Sequence, residues 1–161
     1  MYKRQFEQTA DSTAEVLQVR FTLAHLRGTA DPARAEHEFR SILSTLDDPT
    51  TAISSSWLAA LRQLVLTRYS RLLTRTGRAE DAAQLMTAAI ATAERRSDIA
   101  GAHAQRGHAR AAMGDRAGAL DDFQEALDRA GRHRPQYWAD EIVAAMRGLE
   151  HGDEVAASGS S

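Results

Sequence analysis

From Ser12 onward, apolar residues recur at three- and four-residue spacing, broken roughly every 15 to 20 residues by Gly, Pro or Asp, with no alternating run. A helix turns once per 3.6 residues, so this spacing gives each segment one apolar face; a strand would need period two. The pattern predicts an all-α chain of seven helices, near residues 13–27, 32–46, 54–76, 79–96, 99–113, 116–130 and 135–149. The connections are short, so sequential helices are expected to be antiparallel neighbours. The breaks carry capping chemistry. Ser12-Thr13-Ala14-Glu15 fits a reciprocal capping box, and Asp31-Pro32 and Asp48-Pro49 place an acceptor before a ring that needs no N–H donor. Asp98 and Asp115 are expected to cap the next two starts, and Pro135 to open the last helix. Gly28, Gly77, Gly114 and Gly131 stand where left-handed helix closures are expected.

At 161 residues the chain is long enough for a real core, and a net charge of -2 argues against a strongly basic nucleic-acid binder. With no cysteine, disulfides and thiol chemistry are excluded. No apolar run reaches the length of a membrane span, and a cytoplasmic location is expected. Lys3 is the only lysine and Asn is absent, a usage similar to that of a high-GC genome. Residues 1–5, Met1-Tyr2-Lys3-Arg4-Gln5, resemble the read-through translation of a sequencing-adaptor end and are set aside as a scar. On that expectation 6–12 is a linker or remnant, 13–150 the helical domain, 151–161 a disordered tail, and an upstream domain has been lost.

The segment from Gly77 to Ile90 overlays the segment from Gly114 to Leu127 at an offset of 37 residues. Gly77 meets Gly114, Ala82 meets Ala119, Met86 meets Phe123, Ala89 meets Ala126, and Ile90 meets Leu127. Ala35, Phe39, Ile42 and Leu43 form a fainter copy, 47 residues before the first of these two segments. With Gly107 before the turn at Gly114, the register resembles the tetratricopeptide repeat, a helix-turn-helix unit of about 34 residues. His103, Arg106 and Arg110 stand where that family often has Trp, Leu and Tyr, and Gly131 replaces its terminal Pro. The resemblance implies a right-handed α-solenoid of three helical hairpins, with the 135–149 helix capping its open end. It also implies small residues at the helix crossing, Gly107 and Ala119, with Phe123 filling the gap toward the next repeat.

Little in the chain points to catalysis. No two of its six histidines are three or four residues apart, and no phosphate loop, nucleophile elbow or HExxH occurs. Asp47-Asp48 and Asp121-Asp122 are adjacent pairs whose side chains diverge on a helix, so capping or solvent-facing roles are expected. No enzymatic activity, cofactor or metal is expected.

Charge divides more informatively. The first helices of the three hairpins carry Arg20, Arg27, Arg62, Arg68, Arg71, Arg75, Arg106 and Arg110 against Glu15, whereas 115–130 is acidic. By the resemblance, first helices line the concave groove, so Arg20, Arg27, Arg68, Arg71, Arg75 and His108 are the candidate ligand-binding residues. A groove of one sign attracts an oppositely charged partner. The expected partner is an acidic peptide or helix of another protein, or of an upstream domain of the parent chain. A nucleic-acid-binding helical repeat is the alternative, and salt bridges from these Arg to the second helices are the purely structural reading. The family's carboxylate clamp uses paired Lys and Asn, so it is not carried over. Trp57 and Tyr69 are expected in the core, and Tyr137 and Trp138, being successive, on opposite faces.

Overall fold

A computed structural model describes the backbone of residues 2–48, 55–131 and 135–158, and the side chains of 13–48, 57–131 and 135–151. The elements are α1 (Tyr2–Arg27), α2 (Pro32–Asp47), α3 (Ser55–Arg75), α4 (Ala79–Thr92), α5 (Arg96–Ala112), α6 (Arg116–Ala130) and α7 (Gln136–Ser158). Among the described residues no strand occurs, and no helix is long and apolar enough to cross a membrane.

Two helix starts follow their caps. Asp31 accepts from the Arg34 backbone N–H at 3.0 Å with Pro32 at the first helical position, and Asp115 accepts from the Gly118 N–H at 3.0 Å. Other boundaries differ from expectation. Ser12-Thr13-Ala14-Glu15 lies inside α1, because residues 2–11 contain no Gly or Pro to break a helix, and a capping box cannot force a start where none is needed. Asp98 sits within the first turn of α5, where Arg95 grips its carboxylate at 2.8 Å, and α4 stops at Thr92 rather than near 96. Asp48 ends α2, its N–H reaching the Thr45 carbonyl; a cap by Asp48-Pro49 on the next helix falls partly outside the described residues. α7 continues to Ser158, so 151–158, expected to be disordered, is helical: extending a helix already formed is easy, and Gly152 costs only ~1 kcal/mol. Gly28 ends α1 without a positive φ.

The chain divides into two compact units, Met1–Leu72 and Leu73–Ser161. In the first, α1 buries Leu17, Phe21 and Ala24, and α2 buries Ala35, Phe39, Ile42 and Leu46. The Phe21, Phe39 and Tyr69 rings form a series with centroids 6.3 and 6.0 Å apart. The Tyr69 hydroxyl donates to Glu36 at 3.0 Å and accepts from Arg40 at 2.7 Å, so the buried ring keeps its polar end paired. Burial first, and then Glu36, raise the Tyr69 pKa above its ordinary value, against the opposing pull of Arg40. Val16, Val19, Leu23 and Leu26 form a second, exposed apolar stripe on α1, away from its buried face.

In the second unit the 37-residue register becomes physical. Gly77 and Gly114 have φ of 81° and 80°, the left-handed region that favours glycine. Each is followed by the same local six-to-one closure, Arg78 N–H to the Leu73 carbonyl at 2.8 Å and Asp115 N–H to the Arg110 carbonyl at 2.9 Å. The equivalent pairs Ala82 and Ala119, Met86 and Phe123, and Ala89 and Ala126 are all buried. α5 packs on both α4 and α6, and α7 lays Ile142, Met146 and Leu149 against the cluster of Ala104, Ala119, Phe123 and Ala126. Trp138 docks on that cluster while Tyr137 stays exposed.

Gly107 marks the close approach of α5 and α6: a Cβ there would lie 2.7 Å from the Phe123 ring and 3.2 Å from the Ala119 carbonyl oxygen. Since Phe123 is fully buried, its ring has nowhere to retreat. Gly107→Ala is therefore expected to lower stability by ~1–3 kcal/mol through overpacking, despite a helix-propensity gain of ~1 kcal/mol; thermal denaturation measures the net effect.

Candidate functional site

Three side chains of α5 that depart from the family pattern converge on one carboxylate of α6. His103, Arg106 and Arg110 follow one another at three and four residues, which places them on a single helix face. Opposite them is Asp122, in the stripe formed with Ala119, Phe123 and Ala126, its side chain only 3% exposed. Arg106 reaches Asp122 Oδ1 from Nη2 at 2.7 Å and Oδ2 from Nε at 2.9 Å, a two-point grip suited to a planar guanidinium. Arg110 Nη1 adds 2.9 Å to Oδ2, and His103, with its proton on Nδ1, donates to Oδ1 at 2.9 Å. Arg110 also reaches the Gly118 carbonyl at 3.2 Å and Asp115 at 3.6 Å, and Arg106 the Thr87 hydroxyl of α4 at 3.2 Å.

Burial alone would push the Asp122 carboxyl upward; hydrogen bonds from Arg106 and His103, together with the charges of Arg106 and Arg110, outweigh it and hold the carboxyl below its ordinary value. With both oxygens taken by donors, this carboxylate joins α5 to α6 rather than acting as a base. A lowered pKa places its stabilising contribution above the ordinary carboxylate pKa of about 4. That contribution is expected to decline as pH falls from about 4 through the lower folded value. Urea denaturation at pH 6, 4 and 3 should show the drop beginning near pH 4 in the parent, and a smaller one when the cluster is replaced as a whole.

The positions equivalent to this cluster, 37 residues earlier, are Leu66, Tyr69, Leu73 and Leu85. The same places in the register thus hold an apolar set in one repeat and an ionic set in the next. Their adjacency suggests caps or solvent for both Asp121 and Asp122; Asp121 is exposed, but Asp122 is core. The signal that could have found it was its position three residues after Ala119, inside the apolar stripe.

The candidate groove residues fall in different settings. Arg20 is held by Glu38 at 2.9 Å and by the Ser41 hydroxyl at 2.8 Å, joining α1 to α2. Glu38 occupies the α2 position that corresponds to Asp122 in α6. Arg27 is half-buried near the end of α1, and neither it nor Arg68 makes an ion pair with a described residue. Arg68, Arg71 and Arg75 share one face of α3, with Arg71 and Arg75 exposed. His108 lies edge-on to Phe123 with centroids 4.9 Å apart, a packing contact. Among the eight first-helix arginines, Arg20, Arg62, Arg106 and Arg110 pair with Glu38, Asp47 and Asp122 of second helices. For those four the structural reading holds. Among the described residues no group of three His, Asp or Glu could hold a metal ion.

Comparison of the chain with protein-family models, with curated proteins and with solved structures finds no match.

Proposed function

We propose that the chain is a non-catalytic protein-interaction module, a tetratricopeptide-like right-handed solenoid of helical hairpins with α7 as its cap, binding an acidic peptide or helix through arginines. The observation that carries this reading is the composition of α3. Its 21 residues hold Arg62, Arg68, Arg71 and Arg75 and no acid, and three of these arginines lie on one face. α3 supplies no acid of its own beside these arginines, so its positive potential attracts an acidic ligand. Arg27 is the further contact proposed, from the first helix of the preceding hairpin; Arg20, held by Glu38, and His108, packed on Phe123, are not. The partner could equally be an acidic segment of a longer parent protein.

A phosphate backbone is the other ligand that an Arg face attracts, but recognition of single strands also relies on stacking aromatics, and α3 has only Trp57, half-buried, and Tyr69, buried. Fluorescence titration of the protein with a labelled Glu-rich helical peptide and with single-stranded RNA of equal charge, at physiological salt, separates the two. The expected result is saturable peptide binding and no RNA binding below about 0.1 mM, the range of non-specific nucleic-acid affinities. Micromolar RNA binding with a steep salt slope would replace the proposal by the nucleic-acid reading.

A further inference from the structure

Where α5 begins, α6 ends and α7 begins, the Leu73–Ser161 unit contains a cavity of about 510 Å³ whose lining includes none of the α3 arginines. That volume is within the usual range for small-molecule sites, about 300–1,000 Å³. Gly101 and Ala130 contribute small surfaces, so a flat group can approach the backbone closely. Trp138 is held against the Ile142 and Phe123 cluster, giving a fixed aromatic wall, and the exposed Tyr137 stands at the rim. Among the described residues the lining includes two cations, Arg96 and Arg129, and no acidic side chain. Arg96 is exposed and makes no ion pair with a described residue. Arg129 pairs with Glu125 one turn earlier on α6, at 2.5 Å and with both side chains about 40% exposed, a weak pairing that a better-placed anion can displace.

We propose that this cavity binds a small aromatic carboxylate, its ring against Trp138 and its carboxylate between Arg96 and Arg129. The apolar lining accounts for the ring, and the two guanidinium groups, of which Arg129 must give up its exposed pairing with Glu125, account for the charge. The inference is independent of the Arg face of α3.

The test is isothermal calorimetry of the whole chain with 3-phenylpropionate and with its uncharged amide, 3-phenylpropanamide. Tryptophan emission provides a second readout. The acid is expected to bind saturably at about 1 mM or tighter, within the affinity open to a ligand of this size, and the amide at least about tenfold more weakly. Arg96→Ala, at an exposed position that should leave helicity unchanged, is expected to weaken the acid about tenfold and leave the amide unaffected; Arg129→Gln should act in the same direction. Equal affinities for acid and amide, no saturable binding of either, or an acid affinity indifferent to both substitutions in folded protein would overturn the proposal.

Discussion

Replacing Asp122 by Leu is expected to destabilise the protein by ~3–5 kcal/mol, the range found when one partner is removed from a buried ion pair. The loss would come from what remains: Arg106, with its side chain 15% exposed, and Arg110 would face His103 with no carboxylate between them. Replacing all four groups should reverse the sign. His103→Leu, Arg106→Tyr, Arg110→Leu and Asp122→Leu together install the set found 37 residues earlier as Leu66, Tyr69, Leu73 and Leu85. The Thr87 hydroxyl that Arg106 now contacts is available to the new tyrosine. A buried ionic group exchanged for well-packed apolar residues is often neutral or stabilising by ~1–4 kcal/mol. Denaturant unfolding of the parent, the single variant and the fourfold variant decides the matter. If single and fourfold variants lose the same stability, the two sites are not equivalent and the register is wrong.

What the sequence disclosed and what it concealed have physical reasons. The alternation of small and large residues at Ala82, Met86 and Ala89, repeated at Ala119, Phe123 and Ala126, was legible because a close helix crossing demands it. The turns at Gly77 and Gly114 were legible for the same kind of reason, since a positive φ favours glycine. Adjacency to Asp121 makes Asp122 look solvent-facing, whereas its place in the apolar stripe puts it in the core. Three donors on one face of α5, at 103, 106 and 110, are the sequence sign of a buried acceptor opposite. The ends of α1 and α7 were misplaced because hydroxyl, Gly and Ser signals mark breaks only where the chain must turn. The Arg96 and Trp138 cavity was not legible at all: its walls come from three helix ends that are far apart in sequence.

Reversing the charge of the α3 face should have the largest functional effect. Arg68→Glu, Arg71→Glu and Arg75→Glu together turn a helix of four positive charges and no acid into one dominated by carboxylates. Arg71 and Arg75 are exposed and Arg68 half-buried, so the change acts mainly on the field outside the core. Each charge-assisted contact is worth ~1–3 kcal/mol, so losing three and adding repulsion should remove binding altogether.

The most direct test of the central claim is fluorescence anisotropy of a Glu-rich helical peptide with the parent and the triple variant, at 50, 150 and 500 mM salt, with circular dichroism on both proteins. The expected result is saturable binding to the parent that weakens as salt rises, no binding to the triple variant, and equal helicity. Binding retained by the triple variant, or binding to the parent indifferent to salt, would contradict it.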